Sequence, residues 1–242
     1  MSSTVLQGLR RVLLPVTLLL AVMVTLGMLV TRVFAGSWPF TLEPGVNSGL
    51  AAERTSGWND VSLVFSTLAS TQMIVVVTVL VALFLRLRLH RWREPLFLCA
   101  AVSAQALIFL LTTMAIDRRR PAVEQMDVSP PTSSFPSGHT SAAVALYLGI
   151  GLLLVLRARS TPAKVAWGSL LLLVPVGVAL TRMYRGMHHP SDVVASFVNG
   201  GTCVLIMARA FLDRGIRWGR SMLSPGQAAD ADRGVVGQPA AS

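Results

Sequence analysis

Six apolar stretches, separated by short polar connections, run through the chain. They lie near residues 12–34, 62–85, 95–116, 138–156, 164–181 and 191–212. Each is long enough, or nearly so, to cross a bilayer as a helix, because a helix needs about 20 apolar residues to span the hydrocarbon core. The pattern predicts an all-α, polytopic membrane protein with six transmembrane helices.

The composition supports a membrane protein. Of the 242 residues, 53% are hydrophobic and 13% are charged, whereas about 25% are charged in a typical soluble domain. The net charge of +10 would suggest nucleic acid as the partner of a soluble protein. Here the basic residues lie in short connections beside apolar stretches, where they signal membrane topology. We therefore expect membrane lipids, and no nucleic acid, as partners.

The basic residues indicate which side of the membrane each connection faces. Most lie at one end of the predicted helices: Arg10, Arg11, Arg86, Arg88, Arg91, Arg93, Arg157, Arg159, Lys164, Arg209, Arg214, Arg217 and Arg220. The positive-inside rule places this end, and both termini, in the cytoplasm. The connections 35–61, 117–137 and 182–191 carry nearly balanced charges and are expected to face outside.

The first apolar stretch resembles a signal peptide but is longer. A signal peptide has an apolar run of about 7–15 residues, and this run extends from Val12 to Val30. We therefore predict a retained signal-anchor helix, with cleavage near Ala35 as the alternative. The connection 35–61 is long enough to form a short interfacial helix or a lid.

We divide the chain into three parts. Residues 1–94 are predicted to form a transmembrane hairpin with its extracytoplasmic loop, and residues 95–213 a core that carries the polar motifs. Residues 214–242 are rich in Gly, Ala, Pro and Asp, so they are predicted to be a disordered cytoplasmic tail. Cys99 and Cys203 lie in apolar stretches without metal-ligand spacing and are expected to be packing residues.

Three polar motifs lie just outside the predicted helices, where polar side chains are costly and usually mark a site. The first is Pro136-Ser137-Gly138-His139. Ser137 suits the N-cap of the fourth helix, and Gly138 lets the backbone approach a ligand closely. A helix N-terminus with His139 in its first turn suits an anion. The alternative is an ordinary cap with a surface histidine.

The second motif comprises Arg182, His188 and Asp192. His188 and Asp192 are four residues apart, so on a helix they would face the same way. The carboxylate would then hold one ring nitrogen of His188 and leave the other as a nucleophile or base. The alternative is an ion pair at the start of a helix. His189 is three residues from Asp192 and precedes Pro190, so we assign it a supporting role.

The third motif is Arg118-Arg119-Arg120-Pro121. Pro121 is predicted to end the third helix, so that the arginines line its outer end. One guanidinium group can donate two parallel hydrogen bonds to the oxygens of a phosphate. Three adjacent arginines are unusual on the outer side, because the positive-inside rule places most basic residues on the cytoplasmic side. Their presence therefore favours a phosphate site over a solvated loop.

Taken in chain order, the three motifs resemble those of the type 2 phosphatidic acid phosphatases, membrane lipid phosphatases that share a fold and site with vanadium haloperoxidases. The family pattern is Lys-x6-Arg-Pro, then Pro-Ser-Gly-His, then Ser-Arg-x5-His-x3-Asp. The Pro-Ser-Gly-His motif is complete here, at residues 136–139. Thr181 replaces the serine before Arg182, and Thr113 replaces the lysine of Lys-x6-Arg-Pro. Arg118 or Arg119 would supply the missing charge.

The resemblance implies a helical-bundle phosphatase core at the plasma membrane, with the active site on the extracytoplasmic side. It implies that His188 attacks phosphorus to form a phosphohistidine, while Asp192 orients it. His139 would protonate the leaving oxygen and then help to activate water. No metal and no cofactor are expected.

The resemblance also implies a set of groups that bind the phosphoryl oxygens: Arg120, Arg182, Ser137 and Gly138, with Arg118 as a further candidate. Candidate headgroup contacts are Arg119, Arg185 and Thr113. The expected substrate is a lipid phosphate, such as phosphatidic acid, phosphatidylglycerol phosphate or a polyprenyl diphosphate such as undecaprenyl diphosphate. Nothing in the sequence selects the lipid tail or predicts an oligomeric state.

Two other functions stay open. An intramembrane serine protease would use Ser137 as nucleophile, but this leaves Arg120 and Arg182 without roles. A carrier that binds a lipid phosphate without cleaving it would use the arginines, but this leaves the spacing of His188 and Asp192 unexplained. Substitution of His188 separates the carrier from the phosphatase, because a carrier does not need a nucleophile.

Overall fold

The computed structural model describes residues 3–128 and 131–212, with side chains described from residue 10 onward. This described part is all-helical and contains no strand. Its helices are α1 (Ser3–Met28), α2 (Glu43–Ala52), α3 (Ser56–Leu68), α4 (Thr71–Leu89), α5 (Arg93–Ala115), α6 (Gly138–Ala143), α7 (Gly149–Arg157), α8 (Thr161–Tyr184) and α9 (Pro190–Phe211). π-Helical turns extend α1 over Leu29–Val33 and join α6 to α7 over Val144–Leu148. The predicted tail, 214–242, lies outside the described residues.

The prediction of six membrane-spanning helices is confirmed. Within the described residues, six helices are long and apolar enough to cross a membrane: Arg10–Val33, Thr71–Leu89, Arg93–Ala115, Gly138–Arg157, Thr161–Tyr184 and Pro190–Phe211. The chain is a multi-pass membrane protein.

The predicted start of the second span, at residue 62, is wrong. The apolar stretch there is broken into α3 and α4. Ser70 lies at the break with extended backbone, and its hydroxyl accepts a hydrogen bond from the N–H of Met73 at 3.3 Å. This cap starts α4 at Thr71, so α3 belongs to the connection between the first two spans.

The spans differ in how deeply they lie in the bundle. In two spans, Gly138–Arg157 and Pro190–Phe211, half of the apolar stretch is buried inside the bundle. In Thr71–Leu89 only 11% is buried. The two central spans approach closely because α9 carries Gly200. A Cβ at Gly200 would lie 2.6 Å from the carbonyl oxygen of Ser141, so a larger residue would separate α9 from α6.

The segment between the first two spans is helical and covers one end of the bundle. It contains α2 and α3, in agreement with the prediction of a short helix in 35–61. Arg54, between them, donates to the carbonyl oxygen of Tyr184 from Nε at 3.2 Å and from Nη2 at 2.9 Å. These bonds tie the segment to the C-terminal end of α8.

Candidate active site

A cavity of about 670 Å³ opens at the end of the bundle where α5 and α8 end and α6 begins. Its polar end is lined by residues from all three motifs and from the connection between Pro121 and Pro136: Arg120, Asp127, Gly138, His139, Arg182 and His188. Its other walls come mainly from α4 and α5. The structure therefore brings five predicted site residues to one cavity and adds a carboxylate that the sequence analysis did not select.

His188 lies in the turn between α8 and α9, with 4% of its surface exposed. Its Nδ1 is 2.7 Å from the carbonyl oxygen of Ser134. A carbonyl only accepts hydrogen bonds, so Nδ1 carries the proton and Nε2 carries the lone pair. The ring is therefore held in the tautomer that suits attack by Nε2.

The predicted hydrogen bond between Asp192 and His188 is absent. Oδ2 of Asp192 lies 3.8 Å from Nδ1 of His188, too far for a hydrogen bond but close enough for a strong charge interaction. The reason is that α9 begins at Pro190, so His188 precedes the helix. Oδ2 instead accepts from the hydroxyl of Ser134 at 2.6 Å and from the N–H of His189 at 2.8 Å.

Arg118 does not line the cavity, contrary to its prediction as a phosphate ligand. Its Nη1 forms an ion pair with Asp192 and donates to the hydroxyl of Ser191 at 2.7 Å. Its Nη2 forms an ion pair with Glu43 at 2.6 Å. Two carboxylates thus hold Arg118 against the start of α9 and away from the cavity wall, so it does not replace the missing lysine.

The helix α5 ends at Ala115 and not at Pro121 as predicted. The three arginines therefore lie in an extended connection and their side chains diverge. Arg119 is exposed, and its side chain is not on the cavity wall. Arg120 lines the cavity and donates from Nη1 to the carbonyl oxygen of Met187 at 2.8 Å.

Ser137 is fully buried and caps α6, as its position predicts. Its hydroxyl oxygen accepts from the N–H of Thr140 at 3.4 Å and from the hydroxyl of Thr140 at 3.0 Å. Its own N–H donates to the hydroxyl of Ser196 at 2.8 Å. Ser137 is not on the cavity wall, so it fits neither a direct phosphate contact nor the nucleophile of a protease.

Gly138 lets the start of α6 form part of the cavity wall. A Cβ at this position would lie 2.8 Å from Cζ of Phe109 on α5. Any side chain here would force the ring of Phe109 or the start of α6 to move. The glycine therefore keeps the neighbouring His139 beside the cavity.

Arg182 is the most buried cation on the cavity wall, with 3% of its surface exposed. Its Nη1 donates to the hydroxyl of Ser66 at 2.9 Å and to Oδ2 of Asp127 at 2.5 Å. Its Nε has no hydrogen-bond partner among the described residues. A buried N–H without an acceptor is costly, and a phosphate bound in the cavity would supply one.

Asp127 is a site residue that the sequence analysis missed. Besides its bond to Arg182, it accepts from Arg185 through Nε at 3.0 Å and Nη2 at 2.6 Å. Burial alone would raise the pKa of Asp127, but the hydrogen bonds from Arg185 and the charge of Arg182 outweigh it and lower the pKa. The arginine partners thus favour the ionised form of this carboxylate in the cavity. Sequence reasoning used Asp127 only to balance the charge of its connection.

Arg185 was predicted to contact the headgroup, and the structure instead shows it behind the cavity. Its side chain is 6% exposed and donates from Nη1 to the hydroxyl of Ser62 at 2.8 Å. Its other partners are Asp127 and the carbonyl oxygen of Met126, so Arg185 links α3 to the connection that contains these two residues. Arg185 itself does not line the cavity, and it reaches the wall only through its bonds to Asp127.

Thr113, at the position of the family lysine, is 8% exposed, and its hydroxyl has no partner among the described residues. It is not on the cavity wall, but Phe109 is. Thr113 follows Phe109 by four residues and so lies one turn further along the same side of α5. A longer side chain at this position would extend along the turn toward the polar end of the cavity.

We expect Thr113→Lys to tighten binding of inorganic phosphate about tenfold, because a charge-assisted hydrogen bond contributes about 1.5 kcal/mol. The measurement is the inhibition constant of inorganic phosphate for the variant, compared with that for the wild type. Thr113→Met, of similar length but neutral, is the matched control and should leave that constant unchanged. A folded Thr113→Lys protein with an unchanged constant would show that the ammonium group does not reach the phosphate.

A family model described as the PAP2 superfamily matches residues 94–216. The chain belongs to the PAP2 superfamily. The match spans all three motifs and about half of the sequence. No curated protein is similar enough in sequence to match the chain.

Two solved structures share the fold. The crystal structure of the first transmembrane PAP2-type phosphatidylglycerolphosphate phosphatase from Bacillus subtilis covers 80% of this chain and 93% of its own, with 21% identity and a TM-score of 0.69. Aquifex aeolicus LpxE covers 71% of this chain and 97% of its own, with 22% identity and a TM-score of 0.55. The family match supports a membrane phosphatase, and the likeness to these two structures shows a shared fold.

Proposed function

We propose that this PAP2 protein hydrolyses the phosphomonoester or diphosphate of a lipid, through a phosphohistidine and without a metal, at the extracytoplasmic face. The observation that carries the proposal is that His188, His139 and two arginines line the same cavity. His188 provides a nucleophile, His139 a proton donor, and Arg120 and Arg182 the positive charge that a phosphoryl group requires.

In the first step, Nε2 of His188 attacks phosphorus and the bond from phosphorus to the lipid oxygen breaks. His139 donates a proton to that oxygen, so the lipid leaves as an alcohol or, from a diphosphate, as a monophosphate. Arg120 and Arg182 stabilise the charge on the phosphoryl oxygens. Asp192, 3.8 Å from Nδ1 of His188, stabilises the positive charge that the ring gains when Nε2 forms its bond to phosphorus.

In the second step, water attacks the phosphohistidine. His139, now neutral, accepts a proton from the water, and the bond from phosphorus to Nε2 breaks. Inorganic phosphate leaves, His188 regains its lone pair and His139 regains its proton. Each group thus ends the cycle in the state in which it began.

The shape of the cavity supports a lipid as substrate. Away from its polar end, the cavity is lined by apolar side chains of α4 and α5, among them Ile74, Val75, Val102 and Phe109. α4 is one of the least buried spans, so this end of the cavity lies close to the bilayer. A headgroup at the histidines would leave its apolar chain among these side chains.

The charge pattern supports the extracytoplasmic face. The cavity's polar end lies beside the connections 35–61 and 117–137, where acidic and basic residues nearly balance. The opposite ends of the spans carry an excess of arginine, including Arg86, Arg88 and Arg157. By the positive-inside rule, that excess belongs in the cytoplasm.

The function is tested by measuring phosphate release from purified protein in detergent, with EDTA present. The substrates are phosphatidic acid, phosphatidylglycerol phosphate and a polyprenyl diphosphate, and vanadate is the inhibitor. We expect release from at least one substrate, no effect of EDTA, and inhibition by vanadate. Activity that EDTA removes and a divalent cation restores would overturn the metal-free mechanism. Tight binding of these lipids without release would favour the carrier.

We expect the acidic limb of the pH profile to report His188. Burial lowers the pKa of His188 from its ordinary value, and the charge of Asp192 offsets part of this effect. His188 attacks only when unprotonated, so kcat/KM should fall tenfold per pH unit below a midpoint under about 6.5.

The profile should be corrected for ionisation of the substrate phosphate. Asp192→Asn should move the midpoint to lower pH, because it removes the charge that favours the protonated ring. A wild-type midpoint above about 6.5 would show that another group controls this limb.

A further inference from the structure

The helix α2 packs through polar groups on the turn that contains His188 and on the start of α9. Its buried residues are Glu43 and Asn47, which are 6% and 1% exposed. They are four residues apart and therefore lie on the same side of the helix. A helix that covers a protein surface usually buries an apolar side. α2 is therefore held in place mainly by the contacts of these polar residues, while its apolar residues Leu50 and Ala51 are only partly buried.

Glu43 contacts the start of α9 with both of its oxygens. Oε1 accepts from the N–H of Ser191 at 2.8 Å, and Oε2 pairs with Nη2 of Arg118 at 2.6 Å. Arg118 in turn pairs with Asp192. The side chains of Glu43, Arg118 and Asp192 are 8%, 10% and 0% exposed. These three residues form a buried series of alternating charges that ends at the carboxylate beside His188.

Asn47 contacts the nucleophile's own backbone. Its Nδ2 donates to the carbonyl oxygen of His188 at 3.0 Å. The ring of His188 is already held at Nδ1 by the carbonyl oxygen of Ser134. The two bonds hold the residue at its backbone and at its ring, so that together they determine where Nε2 points.

We propose that α2 is part of the catalytic apparatus, with Glu43 and Asn47 as positioning residues for His188 and Asp192. The proposal rests on the proposed function, because it assigns these residues a role in the attack by His188. Neither residue lines the cavity, so neither contacts the substrate phosphate. Their loss should therefore lower kcat and leave substrate binding unchanged.

The test compares Asn47→Ala and Glu43→Gln with the wild type on the best substrate. We expect kcat to fall about 10- to 100-fold with KM unchanged, since a displacement of about 1 Å at a reacting group costs up to about 100-fold. The inhibition constant of inorganic phosphate should also be unchanged. In a rapid-quench measurement, the rate of phosphohistidine formation should fall by the same factor as kcat.

Ser48→Ala is the matched control. Ser48 is on the exposed side of α2, where its hydroxyl donates to the carbonyl oxygen of Gly45. This variant should keep full activity. Arg54 anchors the chain just after α2 to α8, so α2 should stay docked when the single bond of Asn47 is lost. Asn47→Ala therefore keeps the test decisive if Glu43→Gln fails to fold.

Two results would overturn the proposal. Full kcat in a folded Asn47→Ala protein would show that the bond to His188 is dispensable. A rise in KM with kcat unchanged would place α2 in substrate binding. Failure of the proposed function would be a different result, because the wild type itself would then release no phosphate.

Discussion

Replacing His188 with alanine should reduce phosphate release on the order of 10⁴-fold or more, as loss of a nucleophile does in other covalent enzymes. His188 lines the cavity, and a backbone carbonyl at 2.7 Å from its Nδ1 sets its tautomer. Acid-quenched protein should contain an acid-labile phosphoryl group in the wild type and none in the variant. Lipid phosphate should still bind, since Arg120 and Arg182 remain.

His90→Asn is the control for histidine replacement. His90 lies at the opposite end of the bundle, where it ends α4 with a φ of 53°, and asparagine tolerates that backbone conformation. This variant should keep full activity and the same thermal stability. If folded His188→Ala protein retained substantial turnover and still formed the phosphoenzyme, the nucleophile would be another residue.

Replacing His139 with alanine should lower turnover of a lipid phosphate roughly 10²- to 10⁴-fold, which is the range for loss of a general acid. The effect should depend on the leaving group. An alkoxide must be protonated as it leaves, whereas p-nitrophenolate is stable without a proton. Formation of the phosphohistidine from p-nitrophenyl phosphate should therefore be affected far less than formation from the lipid.

The second half of the reaction gives a further signature of His139. Without this residue, activation of water is slowed for every substrate, because the same phosphohistidine is hydrolysed in each case. His139→Ala should release a burst of about one equivalent of p-nitrophenolate and then turn over slowly. Equal loss for both substrates, with no burst, would place His139 in phosphate binding and not in proton transfer.

The spans and the motif residues were predictable because both are local properties of the sequence. A run of about 20 apolar residues has few alternatives to a membrane helix. The break between α3 and α4 was missed because the residues before Ser70 are nearly as apolar as those after it. Only the cap of Ser70 on Met73 separates the two helices.

The partners of the charged residues were not predictable because they depend on packing between distant segments. Arg118 and Arg120 are two residues apart, yet one pairs with Glu43 and the other faces the cavity. Asp127 meets Arg182 across 55 positions in the sequence. Spacing along one helix carries no information about such contacts.

The contacts of α2 bear on how this protein can be cut or recombined. The family match begins at residue 94, but Glu43 and Asn47 come from the part before it. α1 also contributes Met23, which is fully buried in the core. A chimera that joins residues 94–212 to the first two spans of a relative would keep all three motifs yet lose the hydrogen bond to the backbone of His188. To keep the turnover rate of this protein, such a chimera would also have to contain α2 of this protein.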